Sequence, residues 1–87
     1  MGELTKLRKN IEKIDDNIIE LLKKRFILAK KISDIKYRSK FRINNKKREK
    51  QIIKRLINNH KYMNKGFITK LYKTIFKYSR KIQKKSR

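Results

Sequence analysis

The sequence predicts an all-α fold of three helices per chain, one long and two shorter. Apolar residues recur at steps of three and four through most of the chain, and no stretch alternates as a half-buried strand would. The longest of these stripes also runs from Leu4 to Ile35 with no Gly or Pro inside it. A disordered chain of such high charge has no reason to keep that regularity.

The first element follows from Leu4, Leu7, Ile11, Ile14, Ile18, Leu21, Leu28, Ile32 and Ile35, a heptad-like seam with one interruption. It predicts a helix from about Glu3 to about Arg38, roughly 50 Å long at 1.5 Å per residue. A rod so long and narrow needs another helix to cover its stripe. The pattern breaks over Ser39 to Asn44, the expected loop, with Asn44-Asn45 as a capping candidate. A second helix from about Asn45 to Asn59 puts Ile52, Ile53, Leu56 and Ile57 on one face. Asn58, Asn59, His60 and Asn64 read as turn or cap residues. A third helix, from about Lys65 to Lys84, carries Ile68, Leu71, Tyr72, Ile75, Phe76 and Ile82, and the tail 84–87 is expected to fray.

Size and composition narrow the function. The 87 residues allow one domain, 1–87, with a core so thin that oligomerisation is expected. With no Cys there is no disulfide scaffold, thiolate metal site or cysteine nucleophile, and the lone His60 builds neither a zinc site nor a triad. No apolar run approaches the ~20 residues of a membrane span, and the acidic start is unlike a signal peptide, so the expectation is a soluble, cytoplasmic protein.

The net charge of +22 has two readings. One is a nucleic-acid partner. The other is codon drift in an A/T-rich genome, because Ile, Lys, Asn, Phe and Tyr supply 50 residues while Val and Pro are absent and Ala29 is the sole alanine. Charge alone does not separate them.

The interruptions of the stripes carry more information. Arg25 occupies the missing seam position between Leu21 and Leu28, and a buried guanidinium needs an anionic partner. Lys36 follows eleven residues later on nearly the same side, about 16 Å along the axis. Extending the second helix's apolar face backwards reaches Asn45, Arg48 and Glu49, and the third stripe passes through Ser79 with Gln83 one turn on. Three helices with polar residues on their inward stripes enclose a polar pocket, and its cations make it a pocket for a small polyanion, whose carboxylates suit Arg forks. Arg8 lies seventeen residues before Arg25, about 25 Å away along the rod. It reaches such a pocket only from a second, antiparallel copy.

These residues resemble a known family. Leu7-Arg8-Lys9-Asn10-Ile11-Glu12-Lys13-Ile14-Asp15, Leu21-Leu22-Lys23-Lys24-Arg25 and Ala29-Lys30-Lys31-Ile32-Ser33-Asp34-Ile35-Lys36 are similar to the first helix of the all-helical, type II chorismate mutases. Arg48-Glu49, Ile68-Thr69-Lys70-Leu71-Tyr72 and the Ser79–Gln83 pair resemble its later helices. The resemblance covers almost the whole chain. It implies an intertwined homodimer that rearranges chorismate to prephenate without a cofactor, on the route to phenylalanine and tyrosine. It also implies that Arg25 and Arg8 of the second chain bind the two carboxylates, assisted by Arg48 and Ser79. Lys36 and Gln83 would bond the ether oxygen, and Glu49 with Asn45 the ring hydroxyl. Asn45 stands where the family often has an acid, which implies a retuned affinity.

Three rival readings remain. One is a non-catalytic regulatory or degenerate copy, against which the presence together of Arg8, Arg25, Lys36, Arg48, Glu49, Ser79 and Gln83 argues. A relative on the same fold eliminates pyruvate from isochorismate; Glu49, suited to the ring hydroxyl of chorismate, favours the mutase. A small basic helical nucleic-acid-binding protein would cluster its charge, whereas here the lysines are spread over the whole chain and no recognition motif is present. Only weak, salt-sensitive, non-specific nucleic-acid binding is expected from the charge.

Overall fold

Three helices account for almost all the described part of the chain. In this computed structural model that part comprises residues 2–38 and 46–85, with the side chains of residues 36–38 and 84–85 outside the description. The helices are α1 (Gly2–Arg38), α2 (Lys46–Asn59) and α3 (Lys65–Lys85), and the described residues contain no strand. The all-α expectation is met, with boundaries within a residue of those read from the stripes. The expected loop from Ser39 to Asn44 and the capping candidate Asn45 lie outside the described residues. The long dimension of the molecule, 58 Å, is essentially the length of α1.

α3 is the element on which the others pack: α1 and α2 each contact it, and among the described residues they make no comparable contact with each other. The core therefore lies along α3, where Ile68, Ile75 and Phe76 are buried. Burying a side chain such as Phe76 contributes about 2–3 kcal/mol. From the other side come Ile52, Ile53, Leu56 and Ile57 of α2, all half-buried. Leu71, placed on the α3 stripe by its spacing, is instead exposed.

α1 presents two faces. The side toward α3 carries Leu22, Arg25, Phe26, Ala29 and Ser33, whose spacing keeps them on one side of the rod. Phe26 meets Tyr78 with ring centroids 5.0 Å apart, and Ser33 is fully buried. The heptad seam lies beside this face rather than on it. Its residues Leu4, Leu7, Ile11, Ile14, Ile18, Leu21, Leu28, Ile32 and Ile35 are 43–64% exposed. The cover expected for that stripe does not come from α2 or α3 of the same chain.

The turn between α2 and α3 fixes their geometry. The His60 N–H donates to the Leu56 carbonyl (3.0 Å) and the Met63 N–H to the His60 carbonyl (3.1 Å), closing the chain on itself after α2. Asn64 then caps α3: its Oδ1 accepts the Phe67 N–H at 3.0 Å, satisfying one of the helix's first orphan donors. Gly66 makes room for this, since a β-carbon there would sit 3.1 Å from that oxygen. Among the described residues no helix is long and apolar enough to cross a membrane.

Candidate functional site

Because α1 and α2 both lean on α3, a cavity of about 300 Å³ remains between them. α1 supplies Arg25, Leu28, Ala29 and Ile32 to its wall; α2 supplies Arg48, Glu49 and Ile52; α3 supplies Phe76, Ser79, Arg80 and Gln83. The volume is that of a small-molecule site. Apolar side chains shape it, and six polar ones converge on it.

Arg25 is held by aromatic rings. Its guanidinium carbon lies 5.6 Å from the Tyr72 ring centroid and 5.4 Å from that of Phe76. The residue is half-buried, and the two rings are neighbours of its guanidinium among the described residues, an interaction of about 0.5–2 kcal/mol. A cation–π contact does not use up the N–H donors of a guanidinium, so an anion can still meet them.

Ser79 is 6% exposed, and its Oγ has no hydrogen-bond partner among the described residues. A serine hydroxyl in a helix can bond back to the preceding turn, as Thr69 and Thr74 of α3 do with the carbonyls of Lys65 and Lys70. Ser79 does not. One turn further on, the Gln83 side chain donates through Nε2 to the Ala29 carbonyl at 3.2 Å, linking α3 to α1 at the cavity wall.

Across the cavity, Glu49 in the first turn of α2 accepts a hydrogen bond from Arg80 Nη1 of α3 at 2.5 Å. Sequence reasoning passed over Arg80. Its position, four residues after buried Phe76 and three before Gln83, places it on the inward side of α3, but one more arginine among so many cations gave no reason to single it out.

Five of the eight site residues expected from the sequence thus line one cavity: Arg25, Arg48, Glu49, Ser79 and Gln83. Arg8 does not join them. It is exposed on α1, about 25 Å from Arg25 along the helix. Lys36 belongs to the last turns of α1, but its side chain is outside the described residues, as is the whole of Asn45.

The family model described as chorismate mutase type II matches residues 7–84, nearly the full chain. The chain belongs to the type II chorismate mutase family. Two curated relatives agree. The chorismate mutase of Methanocaldococcus jannaschii is 31% identical over 85 residues, covering 94% of this chain and 85% of the relative. The bifunctional chorismate mutase/prephenate dehydratase of Aquifex aeolicus is 40% identical over 57 residues, covering 66% of this chain. The matched part is only 16% of that longer relative. No solved structure matches the chain significantly. For a type II chorismate mutase, the stripe-breaking polar residues rather than the surface lysines are the informative part of the sequence.

Proposed function

We propose that this chain is a chorismate mutase, an isomerase that converts chorismate to prephenate in phenylalanine and tyrosine biosynthesis. The observation that carries the reading is the buried Ser79 hydroxyl, left without a partner among the described residues in a cavity of small-molecule size that three arginines line. A buried polar atom without a partner costs stability, and a carboxylate bound between Arg25 and Ser79 would satisfy it.

The chemistry asks little else of the protein. The rearrangement is pericyclic: one C–O bond breaks as one C–C bond forms, with no nucleophile and no proton transfer. Catalysis then consists of holding the flexible dianion in its compact, reactive conformer. It is completed by stabilising the negative charge that grows on the ether oxygen in the transition state. In the proposed site Arg25 and the second chain's Arg8 bind the two carboxylates, with Arg48 and Ser79 assisting. Lys36 and Gln83 bond the ether oxygen, and Glu49 with Asn45 accepts the ring hydroxyl.

The site is completed by a homodimer. The exposed seam of α1 is a long apolar stripe on one side of a rod, the form of surface that a second helix covers. An antiparallel second copy brings Arg8 to the Arg25 end. Incubating purified protein with chorismate, and separately with isochorismate, and identifying the products tests the whole reading. Prephenate supports it. Release of pyruvate from isochorismate with no prephenate would assign the chain to the lyase, and no turnover with tight, salt-resistant nucleic-acid binding would reject an enzyme altogether.

A further inference from the structure

We propose that Arg80 is a positioning residue of this site, which holds Glu49 as an oriented hydrogen-bond acceptor and balances its charge so that the cavity admits a dianion. The inference rests on reading the cavity as the chorismate site.

Glu49 has local reasons to sit at the start of α2, where the helix dipole favours an acid. Local charge does not decide which way its carboxylate points. Lys46, Lys47, Arg48 and Lys50 surround it in sequence, yet the carboxylate bonds a guanidinium thirty-one residues away on another helix. The choice is geometric. Arg80 and Glu49 are both wall residues of the cavity, with side chains 32% and 25% exposed. Their bond spans the gap between α2 and α3 next to Ser79, so it fixes the distance between the carboxylate and the orphan hydroxyl. A surface ion pair adds little to stability. A pair on the wall of a ligand site also sets what charge the ligand meets.

That second effect is the larger one here. Among the described lining side chains there are three guanidiniums, Arg25, Arg48 and Arg80, and one carboxylate, Glu49. The net +2 equals the charge of a dicarboxylate in magnitude. Without Arg80 the Glu49 carboxylate would lose the guanidinium bonded to it while facing an incoming dianion, and like charges at contact distance in a partly desolvated site repel strongly. Arg80 lets one wall offer an acceptor to a hydroxyl while the cavity as a whole still attracts carboxylates. Its neighbours leave it no other evident task, since Ser79 and Gln83 on either side face the same space.

The test compares Arg80→Leu, Arg80→Lys, Glu49→Gln and the double variant Arg80→Leu/Glu49→Gln. Turnover of chorismate, calorimetric binding of chorismate and thermal melting are read for each. In Arg80→Leu, KM and Kd should rise roughly 30-fold while kcat changes less than about threefold, the pattern of lost ground-state binding. Arg80→Lys should recover part of the loss. The double variant should bind within about threefold of Glu49→Gln alone, because the charge that Arg80 balanced has gone. Arg80→Gln repeats the comparison should the leucine variant melt early. KM within twofold of wild type in Arg80→Leu, or no recovery on adding Glu49→Gln, overturns the proposal. Wild-type protein that neither binds nor rearranges chorismate overturns both this proposal and the functional reading beneath it; an active wild type with an indifferent Arg80 overturns this one alone.

Discussion

Gln83 donates its side-chain amide to the main-chain carbonyl of Ala29 across 3.2 Å, one turn of α1 beyond Arg25. The bond does two things. It sets the axial position of α3 against α1, and it fixes the orientation of an amide assigned to the ether oxygen of the substrate. Gln83→Leu separates these roles by size. The fold should lose only about 1 kcal/mol, the net worth of one such bond, read as a small drop in melting temperature. Turnover should fall about 10²-fold or more, the usual cost of removing one donor to developing charge. A variant with wild-type kcat would remove Gln83 from the reaction.

Ser79→Ala should move stability and function in opposite directions. The hydroxyl is buried with no partner among the described residues, a state that costs about 1–3 kcal/mol, so its removal should raise the melting temperature by several degrees, at roughly 4–8 °C per kcal/mol for a domain of this size. The same change should raise KM for chorismate about tenfold through the lost carboxylate contact. Destabilisation on removing the hydroxyl would mean that Oγ has a partner in the folded protein and is not waiting for a ligand.

Lys36→Ala addresses the chemical step. Placed against the ether oxygen, the ammonium gains interaction as the C–O bond breaks, so the variant should lose about 10²–10³ in kcat. Its circular dichroism spectrum and melting should stay close to wild type, since the backbone there is the end of a long helix. Near-normal turnover would defeat the assignment.

The shared site can be tested by complementation. Arg8→Ala and Arg25→Gln should each be inactive alone. Refolded together in equal amounts, half the dimers are mixed, and each mixed dimer has one intact site of two, so about a quarter of wild-type activity should return. Mixtures that stay as inactive as their parents would mean that Arg8 serves no partner's site.

The helices were legible because each carries a 3.6-residue stripe uninterrupted by Pro, and five polar residues that line the cavity were legible because they broke those stripes. Two things were not. The α3-facing side of α1 uses Ala29 and Ser33, small residues that contribute no hydrophobic signal, and the seam beside it drew the eye instead. Packing against a neighbouring helix favours small side chains where backbones approach, and pattern alone does not reveal that. The contacts of Arg25 within the chain were hidden for a related reason: charge arguments look for an opposite charge, whereas Tyr72 and Phe76, read as core residues, lie within cation–π reach of the guanidinium.

The exposed seam of α1 has one more property, visible when it is counted outward from Asp16. Ile14 and Ile18, Ile11 and Leu21, Leu7 and Arg25, Leu4 and Leu28 stand at equal distances on either side. From Leu4 to Leu28 the stripe is a palindrome of positions, and Ile32 and Ile35 extend beyond it. Two such helices crossing antiparallel about a twofold axis at Asp16 meet apolar residue with apolar residue at every rung but one. The exception is the rung where Leu7 faces Arg25, and there the next residue, Arg8, arrives beside it. In the proposed dimer a register that pairs the seam from Leu4 to Leu28 is therefore also the register that supplies the second cation. Slippage by one heptad on one chain would keep much of the oily contact and abolish both sites at once, so correct pairing and catalytic competence are selected by the same set of side chains.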